Sequence, residues 1–142
     1  EGLVMKVNGF DIDGVIHLGD GVCGIRPGPG DVIITGRSFE EEAETLAFLR
    51  RNGIHNPVIF NQCHYEDKTR VGSGWHKGQT ILMLHRTGLS IQYFFEDDEV
   101  QKAEIEKILA EKKIWNMPTK VVHVNNPHVE KENRRHLEDL DD

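Results

Sequence analysis

The sequence predicts an α/β fold: a mostly parallel sheet of about five strands with helices on both faces. Three observations carry this. Short apolar runs recur at 6–11, 31–35, 57–60, 91–95 and 120–124. Helical patterns at about 39–52, 75–87, 98–113 and 129–138 alternate with most of them. Strands this short, spaced by helices, pair in parallel and are buried on both faces. The composition, 37% hydrophobic and 29% charged over 142 residues, suits one soluble domain spanning 1–142.

The first strand runs from Val7 to Phe10 and meets Asp11-Ile12-Asp13-Gly14. Residues 14–30 carry no helical pattern. Val15-Ile16-His17 and Val22-Cys23-Gly24-Ile25 flank Leu18-Gly19-Asp20-Gly21, which reads as a short β-hairpin flap able to act as a lid. The second strand, Asp31-Val32-Ile33-Ile34, leads into Thr35-Gly36-Arg37-Ser38. Ser38 is placed to cap the first helix, with Glu40, Glu41 and Glu42 in its first turns and Ala43, Leu46, Ala47 and Leu49 as its buried stripe. Asn52-Gly53 ends that helix. The third strand ends Val58-Ile59-Phe60-Asn61. Lys77 opens the second helix, where a cation opposes the helix dipole. The fourth strand, Ile91 to Phe95, runs into Glu96-Asp97-Asp98, of which Asp98 is well placed as the next N-cap. Ile105, Ile108 and Leu109 give the third helix its apolar stripe, and Lys112 and Lys113 complement its C-terminal dipole.

Charge and composition exclude several functions. A net charge of −7 argues against a non-specific polyanion binder, so nucleic acid is disfavoured as a partner without being excluded. No apolar stretch approaches a membrane span of about 18 residues. Glu1-Gly2-Leu3-Val4 lacks the features of a signal peptide, and Met5 is the expected natural start. Two cysteines, Cys23 and Cys63, suit a reducing compartment, so a cytoplasmic location is expected. Eight histidines show no zinc spacing, and His17 and His76 read as surface residues near the cleft. The stretch Glu66-Asp67-Lys68-Thr69-Arg70 reads as a solvated loop.

Ligands of such folds bind at the carboxyl ends of the strands, so the residues there carry the chemistry. Alternation along a strand puts Asp11 and Asp13 on one side, where two like charges need a cation, a proton or a strong donor. A hard divalent ion bound through oxygen, such as Mg2+, meets that need and draws in phosphate. Thr35 with free backbone N–H groups offers a phosphate cradle, or simply a helix cap. Lys77 balances carboxylates or a phosphoryl oxygen. At least one acid of Glu96-Asp97-Asp98 beyond the cap points into the cleft.

In that order these motifs resemble the haloacid dehalogenase superfamily. Asp11-Ile12-Asp13-Gly14-Val15 matches its first motif, Thr35 (within Thr35-Gly36-Arg37) its second and Lys77 its third. Asp97 with an acidic neighbour, Glu96 or Asp98, matches the fourth. The match covers about residues 7–98. It implies a three-layer Rossmann-like domain and a small capless Mg2+-dependent phosphatase. Asp11 would be the nucleophile, Asp13 the acid/base, and Thr35, Gly36, Arg37 and Lys77 the holders of the phosphoryl group. Asp11, the Asp13 carbonyl, Asp97 and Asp98 would bind the metal, with Asp97 the leading ligand of its trio. The inserted cap domains of many members are missing, which implies an open site for a bulky substrate or for a lid from a second copy in a homo-oligomer. The expected substrate is a small phosphorylated molecule such as a nucleotide or sugar phosphate. A receiver-like phosphoacceptor is the first alternative, although receivers place the acceptor aspartate after the third strand. A non-catalytic binding protein on the same fold is the second.

Overall fold

A computed structural model describes residues 4–111 and 118–125. Along the chain come β1 (Met5–Phe10), β2 (Val32–Ser38), α1 (Glu42–Arg51), β3 (Val58–Asn61), α2 (Arg70–Arg86), β4 (Leu89–Glu96), α3 (Glu99–Glu111) and β5 (Lys120–His123). The five strands form one sheet in the order β3-β2-β1-β4-β5, and every pairing is parallel. The predicted α/β class and helix-covered parallel sheet are therefore found. The expected helix at 129–138, and Lys112 and Lys113, lie outside the described residues.

The two faces are covered by different elements. Val32, Ile34, Ile91 and Phe94 join Ile81 and Leu82 of α2 and Ile105 and Ile108 of α3 in one core. Phe10 and Ile33 join Phe48 and Leu49 of α1, together with Ile12, Val15 and Ile16, in the other. The parity of β2, with Val32 and Ile34 on one side and Ile33 on the other, is what a doubly covered strand requires. Each such side chain contributes about 1.5–3 kcal/mol on full burial.

Three local expectations change. Ser38 caps as expected, through a capping box with Glu41, but it opens a single 3-10 turn, Phe39–Glu41, and α1 begins only after that turn. The buried stripe of α1 is Thr45, Phe48 and Leu49, while Ala43 is exposed. Second, α2 starts at Arg70, not near Trp75, because Thr69 accepts a hydrogen bond from the Gly72 amide and caps it. Lys77 thus lies well inside the helix, beyond the turn where the dipole would oppose it.

The third concerns the flap. Residues 15–25 do fold back on themselves: Leu18 donates to the Val22 carbonyl and Ile25 to that of Val15, around a tip with positive φ at Gly19, Asp20 and Gly21. Its base is not a free lid, however. Val15 and Ile16 are wholly buried in the α1-side core. The amides of Val15, Ile16 and His17 all turn onto the Ile12 carbonyl, which draws the loop down on the sheet edge.

No helix among the described residues is long and apolar enough to cross a membrane.

Candidate active site

Winding away from β1 runs through β2 and β3, then reverses to β4 and β5, so the crevice between winding directions opens where β1 and β4 adjoin. Asp11 follows β1 directly, and its amide still bonds the Phe95 carbonyl at 3.0 Å. Glu96 ends β4 and Asp97 comes directly after it. Carboxylate oxygens of Asp11, Glu96 and Asp97 come within 4.8 Å of one another, and all three residues are buried. Gly14 is what lets the loop after β1 lie on them. Its φ is +89°, and a Cβ there would stand 2.0 Å from Asp97 Oδ2.

Lys77 enters from α2 and is 1% exposed. Its Nζ reaches Asp11 Oδ1 at 3.0 Å and Glu96 Oε1 at 2.7 Å, and donates to Gln101 Oε1 at 2.6 Å. Burial alone would lower the lysine pKa, but Asp11 and Glu96 outweigh it and hold it above the usual range. Burial pushes the Asp11 carboxyl well above its ordinary pKa, and Glu96, Asp97 and Asp13 push the same way against Lys77. Glu96 is likewise raised, first by burial and then by Asp97, with Lys77 opposing. The set of carboxylates is all-oxygen and compact, the chemistry that a hard divalent ion such as Mg2+ fits.

The other acids are engaged elsewhere. Asp13 takes a two-pronged ion pair from Arg37, Nη2 to Oδ1 at 2.7 Å and Nε to Oδ2 at 3.0 Å. Arg37 Nη1 donates to Thr45 Oγ1 of α1 at 3.0 Å. Asp98 caps α3 through the Val100 amide, as expected, and takes Nε and Nη2 of Arg70 at 3.0 and 2.5 Å; it stands outside the cluster of Asp11, Glu96 and Asp97 for which it was also a candidate. Burial would raise its pKa, but the Arg70 hydrogen bonds and charge prevail and lower it. Its place in the acidic cluster belongs to Glu96, because β4 continues one residue further than its apolar run and carries Glu96 to the sheet edge.

Thr35, Gly36 and Arg37 lie within β2 rather than after it. The β2–β3 register jumps between Ile34 and Ser38, paired to Ile59 and Asn61, so these three stand against Phe60 alone. Such a bulge re-aims side chains beside a site. The Arg37 amide donates to Thr35 Oγ1 at 3.0 Å. Gly36 is needed for contact with α2: a Cβ there would stand 2.8 Å from Ser73 Oγ.

The expected open site is not seen at these residues: Asp11 is 5% exposed and Glu96 and Thr35 0%, and the loop after β1 lies against Asp97 at Gly14. Sequence reasoning missed Gln101, which binds both Lys77 and Asp98, and Arg70. It also read Lys68 as solvated, whereas Lys68 pairs with Glu41 at 2.9 Å. A polar residue one turn into a helix that succeeds a strand-end acid was the available signal for Gln101. His76 is half-buried, not a surface residue, and burial with the nearby Lys77 charge lowers its pKa to about 4. Compared with protein-family models, with curated proteins and with solved structures, the chain finds no match.

Proposed function

We propose that this chain is a Mg2+-dependent phosphomonoester hydrolase that works through an aspartyl-phosphate. The observation that most supports it is the buried grouping of Asp11 with Lys77, Glu96 and Asp97 at the crevice between β1 and β4. A carboxylate nucleophile and a phosphate dianion repel, and a cation held by Asp11, Glu96 and Asp97 would supply the screening that lets them meet.

With Asp13 entering the cycle as the protonated acid, an Asp11 oxygen attacks phosphorus as the bond to the leaving oxygen breaks, and Asp13 gives that oxygen its proton. Asp13, now a carboxylate, takes a proton from water. The hydroxide attacks phosphorus, the Asp11–phosphorus bond breaks, and inorganic phosphate and the original Asp11 carboxylate are restored. Lys77, already within 3.0 Å of Asp11, is placed to meet charge that builds on the phosphoryl oxygens. Thr35, buried in β2, would offer a hydroxyl. Substrate is expected among small phosphorylated molecules, and a cytoplasmic setting fits the chemistry.

Hydrolysis of an aryl phosphate with and without Mg2+ tests this. Turnover is expected with Mg2+ only, absent in Asp11→Asn and reduced about 10^2-fold or more in Asp13→Asn. Full activity in EDTA, or in Asp11→Asn, would refute the mechanism. Stable phosphorylation at one aspartate without turnover would favour the phosphoacceptor alternative.

A further inference from the structure

The Arg37 guanidinium has a different task from the one its place after Thr35 suggests. It is 8% exposed, and its Nε, Nη1 and Nη2 all have partners inside the protein: both oxygens of Asp13 and the Thr45 hydroxyl. Thr45 is itself fully buried on α1. A planar fork gripped on three sides is a rigid mount, and a bidentate pair fixes the carboxylate plane as well as its position. Arg37 stands in the stretch of β2 where the register against β3 shifts, the kind of irregularity that re-aims side chains.

We propose that Arg37 is a positioning residue: braced by Thr45, it holds the Asp13 carboxylate in line for proton transfer and does not grip the phosphoryl group. This rests on the hydrolase reading above. Its consequences differ from those of a phosphate holder. A group that fixes the acid/base governs the proton-transfer step, and most strongly where the leaving oxygen most needs a proton. It leaves substrate affinity alone.

The test uses the full chain with Mg2+, an aryl phosphate, an alkyl phosphate (glycerol 2-phosphate) and tungstate as a non-reacting mimic of the phosphoryl group. In Arg37→Ala, kcat for the alkyl ester is expected to fall about 100-fold, the scale of a misplaced catalytic group, with a smaller fall for the aryl ester. KM and the tungstate Kd are expected to stay within about twofold, since binding and catalysis are separable readouts. Thr45→Val, which keeps the guanidinium and loses one brace, should move kcat the same way by less. Arg37→Lys should restore little, because an ammonium cannot form the fork. If Arg37→Ala fails to fold, Thr45→Val and Arg37→Lys carry the same comparison. A tenfold rise in KM and in tungstate Kd with kcat kept would overturn the proposal and make Arg37 a phosphate holder. So would an unchanged kcat on both esters. A wild-type chain with no Mg2+-dependent turnover fails differently: it removes the hydrolase reading, and this proposal with it.

Discussion

At the scale of the residue, the chemistry depends on a few side chains that tolerate no added bulk. Gly14 is the clearest. Its positive φ is costly for any residue with a Cβ, on the order of 1–2 kcal/mol, and here the added atom would also land on the Asp97 carboxylate. Gly14→Ala is expected to destabilise the fold by about 2 kcal/mol or more and to push Asp97 away. Urea unfolding reads the first effect and Mg2+ titration calorimetry the second. Asp11 and Asp13 stand out in the sequence because two acids so closely spaced after an apolar strand repel unless a counter-charge joins them; the structure gives them separate ones, Lys77 and Arg37. The partner of Asp13 does not stand out. Arg37 reaches it from β2, where the register against β3 shifts, and that shift is not legible in the sequence.

At the scale of the element, α2 and α3 lie close because glycines face the contact. A Cβ on Gly74 would stand 2.8 Å from Glu104 Cβ and 3.0 Å from the Gln101 backbone. At Gly78 the nearest atoms belong to the Ile108 side chain, at 3.0–3.2 Å. Alanine gains about 1 kcal/mol in helix propensity at either position. Gly74→Ala is nonetheless expected to destabilise by about 1–2 kcal/mol, since backbone cannot yield, whereas Gly78→Ala should fall within about 0.5 kcal/mol of neutral. Thermal unfolding of the two variants side by side checks the contrast. The start of α2 was hidden from sequence reading by glycines too, since Gly72 and Gly74 are poor helix formers and only the Thr69 cap marks the true beginning. The strands, by contrast, were readable to within a few residues, because each centres on a short run of apolar side chains. The ends were harder where residues of other kinds continue the strand: β2 runs on through Gly36, Arg37 and Ser38, and β4 ends on the charged Glu96.

At the scale of the whole molecule, stability is coupled to protons and, on the proposed reading, to a metal ion. His76 has a folded pKa of about 4, against about 6.5 for an ordinary histidine. Below about pH 6.5 the unfolded chain therefore binds the extra proton first, and stability falls as pH drops from there toward 4. The loss is at most about 3 kcal/mol from this one ring. Asp11 and Glu96, whose folded pKa values are raised, act in the opposite sense and gain stability on acidification. A His76→Gln variant isolates the histidine share: between pH 7.5 and 5 its urea midpoint should fall less than that of wild type. Mg2+ is expected to raise the melting temperature, adding about 2.7 kcal/mol at a hundred times its Kd, and Asp97→Asn should abolish most of that gain. An unchanged melting curve in excess Mg2+ would count against the metal site.

The neighbouring of β1 and β4 has a consequence for how the protein comes into being. They are separated in the chain by the whole of β2, α1, β3 and α2, so their docking is a long-range event. A nascent chain halted before β4 holds Asp11 but neither Glu96 nor Asp97. On the proposed reading an ion would be captured only once that docking has closed, and would from then on act as a latch, slowing the separation of the two central strands.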